Sequence, residues 1–285
     1  MNKLILSLTA AIMLSACSSS EERLAESLYT RAEQAYQAKE WGQARILLDS
    51  IESECRTAIS WRKAGHLLNY KAMLGQQEDS LATADTMLLA ITPLINEMIE
   101  QGKFVYEKGE YDELGRYYVK GTDAQSNLGR CYVHATTDEY GEISLISEYR
   151  GGSYIDHTQL RLTSSDQSTM CTAVVPTTME GANYHFKNQG VCHETVTYRN
   201  DSAIVFFDLF ANDSKAKAAL LYHDGTKSYP IQLADSDRRA IALTYQLSKM
   251  LAAQLRYTQQ SKVAAGKVQF LRTKIGTAEQ GSIDN

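Results

Sequence analysis

Hydrophobic positions along this chain fall into three regimes. Between residues 22 and 54, Leu24, Leu28, Ala32 and Ala35-Tyr36 recur at spacings of three and four, Lys39-Glu40-Trp41-Gly42 interrupts, and Ala44, Leu47-Leu48 and Ile51 resume the period. Apolar residues at that spacing share one helical face, so 24–54 reads as a helical hairpin turning at Trp41. Small Ala32 and Ala44 would let the two helices approach closely. Over 62–101 the repeat becomes a heptad, with Leu67, Leu74, Leu81, Leu88 and Ile95 in one row and Tyr70, Gln77, Ala84, Ile91 and Met98 in the other. A matching seam runs over 235–276 through Ala240, Leu243, Leu247, Met250, Gln254, Tyr257, Ser261, Ala264, Val268, Leu271 and Ile275. Such seams need a partner helix. The two helices are alike in length, about 60 Å each at 1.5 Å per residue, so they are expected to pair antiparallel with each other.

The ends carry their own signals. Gly102 suits a helix stop, and Pro93 should kink or break the first long helix near its end. Asp235, Ser236 and Asp237 suit the start of the second, and Arg272, Lys274 and Gly276 its finish, which leaves 277–285 as a flexible tail.

The third regime, 103–233, alternates polar with β-branched and aromatic residues. Residues 142–149 run into Gly151-Gly152 and continue as 154–162, a hairpin signal. Further strands are expected at 194–198, 203–210 and 218–222, with Asp224-Gly225 turning the chain into 228–233. Roughly eight short strands without helical period imply an antiparallel sandwich-like domain. The predicted fold class is therefore α+β: the N-terminal hairpin, then two long coiled-coil-like helices with an antiparallel β domain inserted between them. A single compact α+β domain, with both helices laid across the sheet, stays open as the other packing.

Composition adds limits. The chain has 285 residues, 44% hydrophobic and 22% charged, in the range of folded soluble proteins. A formal charge of −5 gives no general attraction to nucleic acid or anionic lipid. Three prolines exclude a Pro-rich linker.

Residues 1–16 hold one basic residue, Lys3, before an apolar run too short to span a bilayer, the form of a signal peptide. The run ends in Leu14-Ser15-Ala16-Cys17, which resembles the bacterial lipobox. That resemblance implies cleavage before Cys17, lipid on Cys17, and 17–23 as a lipidated cysteine with a polar tether. The mature protein would then be an outer-membrane lipoprotein, facing the periplasm or the surface. Glu21-Glu22 resemble the surface-export signal of Bacteroidetes lipoproteins, although three serines intervene. The alternative is a soluble secreted protein.

Further tracts resemble a group of Bacteroidales lipoproteins: Leu47-Leu48-Asp49-Ser50-Ile51, Tyr111-Asp112-Glu113-Leu114-Gly115, Asn127-Leu128-Gly129-Arg130, Gly141-Glu142-Ile143-Ser144-Leu145, Tyr149-Arg150-Gly151-Gly152, and Ala234 to Ala240. This implies coiled-coil and helical-repeat architecture and transfers no catalytic residue. The 24–54 pattern is similar to one tetratricopeptide unit, without its terminal proline or a second copy, so no peptide groove follows. Asp49-Ser50-Ile51, Asp79-Ser80-Leu81, Asp85-Thr86-Met87 and Asp201-Ser202-Ala203 resemble the acceptor pattern of Bacteroidetes O-glycosylation. Ser202, in a predicted loop, is the expected site.

Apart from Cys17, the cysteines are Cys55, Cys131, Cys171 and Cys192, which allow three full pairings. Cys171 with Cys192 is the expected disulfide. The only knot of metal-ligating types is His185 with Cys192-His193-Glu194, and its spacing is not that of a zinc signature. There is no G-x-S-x-G elbow, H-E-x-x-H pair or glycine-rich phosphate loop. Seventeen tyrosines, many in 106–154, offer flat surface suited to sugars or protein partners. These features predict a non-enzymatic, membrane-anchored interaction module with no cofactor, metal or catalytic residue. Its partners would be the membrane, through Cys17, and an envelope protein or glycan. Polar Gln77, Gln254 and Ser261 in the seams could set register in a hairpin or in a self-associated dimer. The alternative is an envelope hydrolase or metal-dependent activity in the β domain around Cys192, His193 and His185.

Overall fold

A computed structural model describes residues 20–206 and 213–283, and places them in two compact units, Met1–Asp85 with Gln259–Asn285, and Thr86–Thr258. Cys17, the signal segment and residues 18–19 of the tether lie outside the described residues, whereas 20–23, expected as tether, are already helical. The architecture is α+β, as the sequence predicts.

The first unit is helical. Helix α1 (Ser20–Gln37) and α2 (Trp41–Glu54) are followed by α3 (Ile59–Gln101), whose residues through Asp85 belong here. Ala25, Leu28, Ala32, Leu47, Leu48, Ile51 and Leu68 form one apolar core, with Tyr29 and Trp61 against it. The turn after α1 is stopped by a left-handed residue, Lys39 at φ 60°. Its N–H donates to Tyr36 O and that of Glu40 to Ala35 O, the paired bonds that satisfy orphan carbonyls at a helix end. Trp41 does not merely fill that turn. Its indole N–H donates to Asp79 Oδ2 at 2.7 Å, and its ring lies where a Cβ on Gly75 would come within 2.9 Å. A side chain at position 75 would push the indole off α3.

The last helix, α4 (Asp235–Ile283), has its residues from Gln259 onward in this unit. It is bonded to α3 by Ser261 to Asp85, Gln260 to Ser80, Arg272 to Glu78 and Lys71 to Glu279. From Ser261 through Arg272 to Glu279 the partners fall from Asp85 through Glu78 to Lys71, so the two stretches run antiparallel. Two expectations change. The helix passes through Gly276 and occupies 277–283, where a flexible tail was expected, and the buried positions early in α3 are Leu68 and Ala72 rather than Leu67 and Leu74. Leu68 packs with the α1 and α2 core and Ala72 with Ala35 and Ala44, so this stretch serves a second neighbour that a single seam does not anticipate.

The second unit holds ten strands among the described residues. A six-stranded sheet has the order β1-β2-β3-β4-β8-β7 and a four-stranded sheet the order β10-β9-β5-β6. The first comprises β1 (Phe104–Glu107), β2 (Arg116–Val119), β3 (Tyr132–Asp138), β4 (Ile143–Gly151), β7 (Asn183–Asn188) and β8 (Val191–Arg199). The second comprises β5 (His157–Thr163), β6 (Thr169–Cys171), β9 (Lys217–Tyr222) and β10 (Ser228–Ile231). All pairs are antiparallel. Val133, Leu145 and Val196 from one sheet and Leu160, Leu162 and Leu220 from the other share a core that Ile241 of α4 completes. The alternation of strand side chains decides which residues enter it.

Here too α3 and α4 meet. Ile95 is buried with Leu247 and Leu251, Ile91 and Met98 pack on them, and Gln254 donates to Thr92 at 3.1 Å. Of the expected kink or break at Pro93, the break does not occur: α3 runs through it as one helix. Residue 93 is exposed, so the carbonyl that loses its partner can turn to water.

Two strand expectations are overturned. The stretches 142–149 and 154–162 do not form a hairpin: β4 pairs with β3 and β8, while β5 lies in the other sheet between β9 and β6. The Gly151-Gly152 signal marks a change of direction, not a partner. Residues 203–206 are no strand either. Asp201 Oδ1 accepts the Ala203 N–H at 2.8 Å, its carbonyl accepts Ile204 N–H, and helix begins at residue 204. An aspartate side chain that satisfies the first free N–H groups favours helix over strand. The rest of 203–210 lies outside the described residues. The turn at Asp224-Gly225 does join β9 to β10, with Ser228 opposite Leu221.

Candidate functional site

The β unit buries a polar chain between its sheets. Glu194 sits on the inward row of β8 and is fully buried. Its Oε1 accepts the backbone N–H groups of Ile155 at 2.5 Å and Asp156 at 3.0 Å. Its Oε2 accepts the His157 N–H at 3.0 Å and His157 Nδ1 at 2.6 Å. Three consecutive N–H groups can converge on one carboxylate because Asp156 adopts φ 50°. Burial pushes the Glu194 carboxyl up, but the bonds from the His157 ring, the His157 and Ile155 backbones and the histidine's charge outweigh it and hold its pKa below the usual carboxylate value. An ionised carboxylate only accepts, so Nδ1 of His157 carries the donated hydrogen. At the far side of that ring Nε2 lies 2.9 Å from Ser147 Oγ, which is 3.2 Å from the Tyr198 hydroxyl.

Glutamate, imidazole and serine in this order have the connectivity of a hydrolytic triad. A nucleophile must also be reachable. Ser147 and His157 are fully buried and the serine hydroxyl is already shared with Tyr198, so the chain here joins sheet to sheet. It anchors β5 to β8 through groups that would otherwise be costly to bury.

Beside it, Asp156, His185 and Glu194 place one ligating atom each within 4.8 Å of one another. His185 is the register partner of Glu194 across β7 and β8 and shares its inward row. His193 belongs to the opposite row, opposite Phe186. Cys192, His193 and His185 therefore do not converge on one point: alternation sends His193 to the outer face and leaves Cys192 and His185 on the inner.

The expected Cys171–Cys192 disulfide is not formed. Both thiols are free, Cys171 exposed on β6 and Cys192 buried on β8, in different sheets. Their placement could not be read from spacing, because the sheet each strand joins is set by distant partners. Under native conditions Cys171 is expected to react with a thiol reagent rapidly, whereas Cys55 and Cys192 wait for unfolding; mass spectrometry of the labelled peptides checks this. Ser202 is exposed in the turn after Asp201, as its loop assignment requires.

The outer face of β7 and β8 is different in character. Tyr184 is 62% and Phe186 39% exposed. The Phe186 ring stacks on His193 with centroids 4.4 Å apart and planes 8° apart, and Tyr184 follows at 5.7 Å from Phe186. Burial, then nearby Arg150, lowers the His193 pKa, so this ring is neutral at neutral pH. Thr195 stands opposite Tyr184, and Thr197, the next outward residue of β8, lines a groove of about 500 Å³ with Val174, Met179, Ala182 and Asp201. The tyrosines of 106–154 that sequence reading singled out divide instead: Tyr106, Tyr111, Tyr140 and Tyr154 are exposed, whereas Tyr132 and Tyr149 are buried. The alternating β7 sequence Tyr184-His185-Phe186 was the signal for the aromatic row. Nothing in spacing pointed to His157, thirty-seven residues from its carboxylate.

No protein-family model matches this chain, and no curated protein and no solved structure matches it.

Proposed function

We propose that the protein is an envelope lipoprotein, anchored to the outer membrane by lipid on Cys17, that acts without catalysis by binding an envelope glycan through the outer face of β7 and β8. The observation that carries this reading is the exposed pair Tyr184 and Phe186, with half-buried His193 stacked on Phe186. Flat apolar ring faces suit the C–H faces of sugars, and an amphipathic tyrosine keeps its hydroxyl for hydrogen bonding. The Thr197 hydroxyl lies along the same strand, where a sugar would need polar partners, and the groove beyond it extends the surface, while the Thr195 hydroxyl already donates to Glu148. In this reading α3 and α4 form an antiparallel pair into which the β unit is inserted, and 24–54 is one tetratricopeptide-like hairpin. Intrachain bonds from Gln254 and Ser261 to α3 favour seams that close within one chain over seams that join two.

The test is titration of purified envelope polysaccharide and lipopolysaccharide into the mature protein. Tyr184→Ala and Phe186→Ala are each expected to weaken binding about three- to tenfold, the loss of roughly 0.5–1.5 kcal/mol of ring contact. A wild-type protein that binds no envelope glycan, or variants that bind as it does, would overturn the reading.

A further inference from the structure

The histidine on the inner side of β7 is not accounted for by the glycan reading. The Nε2 atom of His185 is sealed from solvent and has no hydrogen-bond partner. Its nearest counter-group is Asp156 Oδ1 at 3.9 Å, beyond hydrogen-bond reach. That gap has a chemical meaning. Zinc sits about 2.0–2.2 Å from imidazole nitrogen and carboxylate oxygen, which sets two tetrahedral ligand atoms about 3.4 Å apart, so a side-chain shift of about half an ångström would close this gap onto one ion.

We infer that Asp156 and His185 hold a divalent transition metal, best zinc, with Glu194 supplying negative charge behind it. The rest of the local geometry agrees. Asp156 is tied down through its own N–H on Glu194 Oε1, and the His185 ring is steadied edge-to-face by Tyr154 at 5.8 Å and 88°. Glu194 lies within ligand range of both, yet each of its oxygens already accepts two N–H groups. It therefore acts through its charge rather than as a first ligand. A mixed nitrogen and oxygen donor pair selects zinc over calcium or magnesium, which prefer all-oxygen shells. The Asp156 side chain is 53% exposed and that of His185 21%, so water would complete the coordination from the carboxylate side while the imidazole side is closed.

The experiment uses the full mature chain stripped of metal with a chelator, and zinc alone as the probe. Calorimetric titration is expected to give one zinc per chain, and both Asp156→Asn and His185→Gln should weaken it at least tenfold. His66→Ala and His193→Ala should bind as the wild type does, since His66 pairs with Glu52 in the other unit and His193 faces the opposite side of the sheet. Cobalt in place of zinc gives a second readout, a visible ligand-field spectrum that both ligand variants lose. Circular dichroism reports whether each variant is folded, and Asp156→Asn, at an exposed side chain, keeps the test usable if His185→Gln is not. Absence of stoichiometric zinc, or zinc binding indifferent to Asp156→Asn, overturns the inference. Neither result touches the glycan reading, which rests on the outer face.

Discussion

Glu194→Ala is expected to cost the β unit about 3–5 kcal/mol, the range for removing one partner of a buried ionic pair. The reason is specific. Alanine would leave three backbone N–H groups and the His157 ring nitrogen facing a void between the sheets, each short of an acceptor. Thermal unfolding followed by near-ultraviolet circular dichroism should fall by roughly 10 °C, at the 2–4 °C per kcal/mol typical of domains this size. Thr195→Ala, one residue along on the outer face, removes only the bond to Glu148 and should shift the transition far less. If Glu194→Ala unfolds within a degree or two of the wild type, the polar chain does not hold the sheets together.

The same group predicts a dependence on pH. Folding depresses the Glu194 pKa below its ordinary value of 4.5, so the unfolded state takes up protons first as pH falls. Its contribution is whole above about pH 4.5 and is lost as pH drops through the folded value. In chelator, the wild type should therefore lose stability more steeply below that point than Glu194→Gln, and the two curves should draw together toward the acid limit.

The second large effect is expected at Gly141, in the turn between β3 and β4. A Cβ there would lie 2.3 Å from the Ser248 carbonyl oxygen and 2.5 Å from the Ala252 nitrogen of α4. Both are backbone atoms of a helix interior and cannot rotate away. The residue also sits at φ 82°, in the left-handed region that favours glycine. Gly141→Val is expected to cost about 3 kcal/mol or more, combining overpacking with backbone strain. Gly225→Ala separates the two causes. That glycine has φ 69° but open space where a Cβ would go, so only strain remains, about 1 kcal/mol. Denaturant melts giving the two variants equal losses would show that the contact of the turn with α4 is unimportant.

Much of the fold was legible because its signals are local. The three-and-four spacing of Leu28, Ala32, Ala44 and Leu48 marks faces that are buried in the first unit, and the late seam of Ala84, Ile91, Ile95 and Met98 lies where the heptad puts it. Where a residue answers to two neighbours, the local signal errs. Leu68 and Ala72 displace Leu67 and Leu74 because α3 also serves α1 and α2. Gly276 suits a helix finish, yet the helix continues through it. At about 1 kcal/mol relative to alanine, one glycine is too weak to end a helix by itself.

The candidate sites divide on the same principle. The alternation of Tyr184, His185 and Phe186 puts rings on one face and imidazole on the other whatever their neighbours, because side-chain direction in a strand follows from the backbone alone. What the primary structure could decide was most of the helices and strands and their facing, since each depends on residues a few places apart; residues 203–206 and early α3 are the exceptions. The allocation of β4 and β5 to different sheets, the separation of Cys171 from Cys192, and the meeting of His157 with Glu194 belong to the tertiary structure. Each is settled by which strands pair over long stretches of chain. Those pairings come from the shared burial of Val133, Leu160, Val196 and Leu220, and no short window of sequence contains them.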